Sequence, residues 1–135
     1  MGRVVHFEIT ADDPDRAAEF YRKVFNWEVA DSGQPIPYML VTTGPADKAG
    51  INGAITPRHE HLQAVVNTID VDNWEQGAKA IVEAGGDILT KKTAITGIGY
   101  FAYCTDTELN IFGILEADPA AKAEDVLVAA GTASR

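Results

Sequence analysis

The stretch Arg3–Thr10 reads RVVHFEIT, and within it His6 and Glu8 stand two residues apart. In an extended chain alternate residues share a face, so an imidazole and a carboxylate would project side by side. Two chemistries suit such a pair. One is proton transfer, with the two groups as acid and base. The other is metal ligation, which both side chains can perform. The bland alternative is a partly solvated pair that hydrogen-bonds internally. His59 and His61 repeat the spacing in PRHEHLQ, a segment that reads as a linker, where a solvated role is expected ahead of chelation. Cys104 lies beside Tyr103 in an apolar run, with no basic neighbour to activate it, and is expected to be a buried, inert thiol. The directions of Tyr38 and Tyr103, toward a ligand or into a core, stay open.

The elements that must hold these groups follow from pattern. Val5, Phe7 and Ile9 alternate with His6, Glu8 and Thr10, so a first strand is expected over Val4–Thr10. Asp13–Pro14 is a helix start, a capping carboxylate followed by the residue that needs no N–H. Ala17, Phe20, Tyr21 and Val24 then make one apolar stripe. WEVA, YMLVTT and INGAIT read as three further strands. A second series begins at AVVNTIDV. Its helix, DNWEQGAKAIVEAGG, is expected to be capped by Asp72 with Glu75 as the capping-box partner, to pack through Trp74, Ala78 and Ile81, and to stop at Gly85–Gly86. DILT, YFAYCT and NIFGILE read as its three strands. Asn67 falls by parity on the helix side, where it would need partners, and a structural role is expected for it.

Each half is therefore strand–helix–three strands, and the halves match in register. His6 lies seven residues before Asp13, and Val66 seven before Asn73. GINGAI from Gly50 overlays NIFGIL from Asn110, so Gly53 overlays Gly113. The tail, residues 119–135, opens on another Asp–Pro pair and is alanine-rich; a short helix followed by disorder is expected there.

Bulk properties narrow the function classes. The chain has 135 residues with 46% hydrophobic, enough for one compact domain or two small half-domains sharing a core. A formal net charge of −9 opposes binding to nucleic-acid phosphates or anionic membranes, and no basic run offsets it. One cysteine excludes an intrachain disulfide. The N-terminus has no signal-type apolar stretch, and no segment approaches the ~20 apolar residues of a membrane span. A soluble, cytoplasmic protein is expected.

The RVVHFEI strand, the DDPDRAAEFYRKVFNWEV helix and strand, the TIDVDN junction and the ending FAYCTDTELNIFGILE together resemble the vicinal oxygen chelate superfamily, over nearly all of residues 3–117. That superfamily includes glyoxalase I, extradiol dioxygenases and bleomycin-resistance proteins, and the chain looks most like its small proteins related to lactoylglutathione lyase. The resemblance implies an α+β fold of two tandem βαβββ modules, about 3–57 and 63–117, forming a curved mixed sheet around a cleft, in one domain over 1–118. It also implies a homodimer, since short members pair edge to edge and an exposed sheet edge is a liability.

Metal-dependent members place a ligand on the first and last strand of each module. Here those positions read His6, Gly53, Val66 and Gly113, and one ligand in four cannot make a tight site. No metal or other cofactor is expected, with a divalent ion held weakly through His6 as the alternative. The glycines would instead leave room for a ligand. His6, Glu8, Gly53, Val66, Thr68 and Gly113 are the residues expected to line that cleft. The family's last turn usually carries glycine where this chain has Leu109 and proline where it has Thr107. Because leucine resists positive φ, a different turn type is expected there.

The expected function is binding of a small, partly apolar molecule without the usual metal. A divalent-metal glyoxalase-like lyase or isomerase, and a metal-free enzyme using His6 and Glu8 as acid and base, are the competing readings. The resemblance names no substrate.

Overall fold

The computed structural model describes residues 1–34, 37–59 and 63–123. The chain forms two compact units, Val5–Asn67 and Met1–Val4 with the chain from Thr68 onward. Each carries one helix on one side of its strands. Among the described residues no helix is long and apolar enough to cross a membrane.

In the first unit the order is β1 (Val4–Ala11), α1 (Pro14–Phe25), β2 (Glu28–Asp31), β3 (Met39–Thr42) and β4 (Asn52–Pro57). The strands lie in the order β2-β3-β4-β1, with β1 and β4 parallel and the other pairs antiparallel. Asp13 caps α1, its carboxylate accepting from Arg16 N at 3.1 Å, and Pro14 follows as expected. The helix closes on Asn26, held left-handed at φ 61°. The buried core is Ala11, Ala18, Val41 and Ile55, with Phe7, Ile9, Ala17, Tyr21 and Trp27 packed on it. Full burial of Ile55 or Val41 contributes about 1.5–3 kcal/mol each by transfer.

The expected stripe of α1 is corrected here. The inward face runs through Ala17, Ala18 and Tyr21, whereas Phe20 and Val24 are each 55% exposed. Two alanines let the helix approach the sheet closely, and Tyr21 stacks on Trp27 at 4.8 Å between ring centroids. That arrangement turns the larger residues outward.

The second unit holds most of β5 (Val65–Asp70), then α2 (Trp74–Glu83), β6 (Asp87–Ile88), β7 (Thr93–Ile95), β8 (Gly99–Thr105) and β9 (Ile111–Ala117). The strands run β5-β9-β8-β6, with β7 paired to β8. β7 is an addition to the expected three strands. Three residues pair with Phe101, Tyr100 and Gly99 through a tight turn whose Gly97 has φ 76°. Ala102, Cys104 and Ile114 form the buried core beneath α2, with Val71, Trp74, Ile81 and Phe112 against it.

Asn73, not Asp72, caps α2, accepting from Gln76 N at 2.9 Å. Asn73 is the residue that the repeat aligns with Asp13. Glu75 is thereby displaced from the capping-box position and pairs with Lys92 at 2.6 Å instead. The helix ends in a Schellman motif: Gly86 N donates to Ile81 O and Gly85 N to Val82 O.

The unit boundary at Asn67/Thr68 falls inside β5, and the first four residues belong with the second unit. Thr10 N donates to Ala64 O in the first unit, and Asp70 N to Arg3 O in the second. Asn67 is exposed, so the partners expected for it are not needed. The start of the tail makes a turn. Gly97 N donates to Ala121 O and Ala123 N to Thr96 Oγ1. The helix and disorder expected further on lie outside the described residues.

Candidate functional site

Strand parity in β1 separates two kinds of chemistry. Phe7 and Ile9 pack on the α1 core, as the alternation required. His6 and Glu8 are on the opposite face. There they meet Tyr38, the residue just before β3, whose parity with Leu40 sets it on that face as well. Tyr38 Oη donates to Glu8 Oε2 at 2.8 Å and lies 2.9 Å from His6 Nε2. The imidazole and phenol rings are nearly parallel, 13° between planes. A hydrogen-bonded chain thus runs from His6 through Tyr38 to Glu8, all within the first unit.

Glu8 is 4% exposed and His6 partly buried. Burial holds the His6 imidazole below the ordinary histidine range, because charging it would cost solvation; the nearby Glu8 carboxylate partly opposes this. Around the chain the face is small and polar. Register sets Glu8 beside Ala54, Ala54 beside Leu40, and Thr10 beside Thr56. Asn52, the register partner of His6, turns its side-chain oxygen to Thr43 N at 2.9 Å.

The glycines do not do what their sequence position suggested, and that expectation is corrected. Gly53 shares the α1 side with Ile55, and a Cβ there would lie 2.5 Å from Phe7 Cδ1. Gly113 is on the side away from α2, where a Cβ would lie 2.6 Å from Phe101 Cε1 and 3.1 Å from Thr68 Oγ1. In both places an aromatic ring of the protein itself occupies the room. Tyr103, opposite Gly113 in register, stands edge-on to Phe101 at 4.8 Å. Thr68, Gly113, Phe101 and Tyr103 therefore come together in the second unit, as His6, Glu8 and Tyr38 do in the first. Val66 is fully buried in β5.

The sequence reading left Tyr38 undecided, although its parity with Leu40 across YMLV was the available signal. The Leu109 turn is a further correction. Leu109 does take positive φ, 65°, despite its side chain. Asp106 makes this tolerable by accepting from Glu108 N at 2.8 Å, Asn110 N at 2.9 Å and Asn110 Nδ2 at 3.1 Å. Cys104 is fully buried, and burial pushes its thiol up to about 11. His59 is exposed; His61 lies outside the described residues.

Residues 3–114 match the model of the Glyoxalase/Bleomycin resistance protein/Dioxygenase superfamily. The chain belongs to this superfamily. Its α+β fold of two βαβββ modules is likewise that of a methylmalonyl-CoA epimerase solved in complex with methylmalonyl-CoA and NH4+. That match has a TM-score of 0.64 and 13% identity, covering 90% of this chain and 99% of that one. By sequence the chain is 29% identical over 126 residues to CFP32 of Mycobacterium tuberculosis, named as a candidate glyoxylase; the match takes in 87% of this chain. It spans 45% of CFP32's own length, so it corresponds to about half of that protein. A glyoxylase-like domain-containing protein of Didymella fabae is 28% identical over 118 residues, covering 84% of this chain and 92% of that protein.

The superfamily's frequent use of metal can be tested on the donor set. Among the described residues no three His, Cys, Asp or Glu side chains come together. Of the four positions that the resemblance assigns to ligands, only His6 has a donor side chain; Gly53 faces α1, and neither its neighbour Ala54 nor Val66 or Gly113 supplies one. Glu8, two residues away, already accepts from Tyr38. This set does not fit a tightly held divalent ion, which generally takes three or four protein ligands.

Proposed function

We propose that this superfamily member binds a small, partly apolar molecule on the face of the first unit opposite α1, with the His6–Tyr38–Glu8 chain as its polar anchor and without a resident metal. The observation that carries this reading is the hydrogen-bonded chain itself. It holds an imidazole and a buried carboxylate through a tyrosine on the sheet face that α1 leaves uncovered. A few fixed polar groups that set a ligand's orientation are the usual polar part of a ligand site.

A thermal-shift screen of small aromatic, thiol-containing and acyl-CoA molecules, with metal analysis of the purified protein, tests it. His6→Ala and Glu8→Gln should weaken binding of any hit while leaving the fold intact. Loss of stability with unchanged binding would make the chain structural. A stoichiometric divalent ion bound through His6 would overturn the metal-free reading.

The Tyr38 bridge favours one second reading, a metal-free acid–base enzyme. A neutral imidazole backed by a tyrosine and a carboxylate is equipped to take up a proton, because Glu8 favours the charged ring that results. Turnover of a hit that is lost with His6→Ala would select this reading.

We also propose a cytoplasmic homodimer. Phe20, Val24 and Phe25 are each 55% exposed on α1, an apolar surface that a second copy could cover. Light scattering should return a dimer at micromolar concentration, and a monomer would refute this.

A further inference from the structure

The polarity of the chain has a consequence for the kind of ligand the site takes. A tyrosine hydroxyl carries one hydrogen. That hydrogen goes to Glu8 Oε2, 2.8 Å away. The contact between Tyr38 Oη and His6 Nε2, 2.9 Å, then needs its hydrogen from the imidazole. A neutral imidazole has one N–H, so with Nε2 as donor, Nδ1 is left with a lone pair. The hydrogen bond of His6 among the described residues is made through Nε2, and Nδ1 is not one of the buried atoms left without a partner, so it is open to solvent or a ligand. The nearest candidate by register is Asn52, whose side-chain oxygen is turned to Thr43 N and Oγ1. The Asn52 amide nitrogen, the donor on that side chain, makes no hydrogen bond to His6 among the described residues.

We infer that Tyr38 is a positioning residue that locks His6 in the Nε2–H tautomer, so that Nδ1 acts as a hydrogen-bond acceptor and the site takes ligands presenting a donor, such as a hydroxyl or N–H, rather than ligands presenting a carbonyl or ether oxygen alone. This rests on the ligand-site reading above and adds the ligand's polarity to it. The same logic extends to proton transfer: the nitrogen that would receive a substrate proton is Nδ1. The charged ring would then donate through Nε2 to Tyr38, which stays hydrogen-bonded to Glu8. Among the described residues, the hydrogen bond to Tyr38 is what distinguishes the two ring nitrogens.

The test uses the full chain, labelled with 15N, and long-range proton–nitrogen correlation of its imidazoles at pH 7.5. His6 should show a protonated Nε2 and an unprotonated Nδ1. In Tyr38→Phe, checked for a native-like fold by its amide spectrum, His6 should become a mixture of both tautomers. Phenol and anisole serve as a matched probe pair, differing in the donor hydrogen. Phenol should shift the Nδ1 resonance and bind about fivefold more tightly, the effect of roughly one net hydrogen bond. An Nδ1–H tautomer in the wild type, or an unchanged tautomer in Tyr38→Phe, overturns the positioning role. Equal binding of the two probes overturns the donor preference. If the tautomer is as expected but neither probe disturbs His6, the ligand-site reading fails and the donor preference falls with it.

Discussion

The ring of Phe101 occupies the space that a side chain on Gly113 would need, 2.6 Å from where its Cβ would stand. Gly53 stands in the same relation to Phe7, but on the helix side of its sheet. The two sites differ in what would have to move. At Gly113 the nearest atoms belong to a ring that can be shortened. At Gly53 the first obstacle is the carbonyl oxygen of Phe7, which no substitution removes.

Gly113→Ala is therefore expected to cost about 1–3 kcal/mol, the range of overpacked cores. Phe101→Leu in the same chain should recover part of that loss. Phe7→Leu should recover much less of the loss in Gly53→Ala. Double-mutant cycles by urea unfolding measure both couplings. Additivity within about 0.3–0.5 kcal/mol at the Gly113–Phe101 pair would mean the contact is not what excludes a side chain there.

Leu109 offers a gain. It is held at φ 65° and is 80% exposed, so its side chain gives up little burial on removal. A left-handed leucine costs about 1–2 kcal/mol. Glycine removes that cost but adds about 0.4–1 kcal/mol of unfolded-chain entropy. The net expectation for Leu109→Gly is stabilisation by about 0.5–1 kcal/mol, read as a rise of a few degrees in Tm. A fall in Tm would show that Leu109 makes a contact outweighing its strain.

Acid should weaken the fold through His6. Its pKa is lower in the folded protein than the ordinary value, with burial as the main cause and Glu8 opposing. The unfolded chain then takes up the proton first as pH falls. Stability from this group is present above about pH 6.5 and declines below it, until the folded His6 also protonates. Unfolding free energies measured at pH 7.5, 6.5 and 5.5 should fall along that series. His6→Gln should flatten the slope by up to one proton. A steeper loss in His6→Gln than in the wild type would reverse the sign and discard this account.

Cys104 should be silent in the native state. It is fully buried, and its thiol is raised to about 11, so thiolate is scarce and shielded at neutral pH. Iodoacetamide at pH 7.5 is expected to label it on unfolding in urea and not before. Rapid labelling of the folded protein would mean that β8 opens locally.

Much of this molecule is decided locally, and for that reason its sequence alone was informative. The alternation in RVVHFEIT put Phe7 and Ile9 on one face and His6 and Glu8 on the other, because a strand has a period of two. Asp13–Pro14 and Gly85–Gly86 marked helix ends because capping is a matter of a few neighbouring backbone groups. The repeat of strand, helix and three strands was legible from pattern, and the family resemblance carried by those segments implied the fold. The shortage of donor side chains at the positions the resemblance implies, His6, Gly53, Val66 and Gly113, is likewise a property of residue types, and Ala54 in place of Gly53 leaves it unchanged.

Tertiary structure decided the rest. The repeat aligns Gly53 with Gly113, yet Ile55 packs beneath α1 while Ile114 packs beneath α2. The residue of β4 on Gly113's side of its sheet is therefore Ala54, one position along, and a single step in a strand reverses the face. Which of Ala17, Phe20, Tyr21 and Val24 would turn inward depended on how closely α1 approaches its sheet, and Ala18 set that distance. Tyr38 is 32 residues from His6 and 30 from Glu8 in the chain. Their hydrogen-bonded chain exists because β3 pairs with β4 and β4 with β1 in one register, a long-range choice that no local pattern in the sequence encodes.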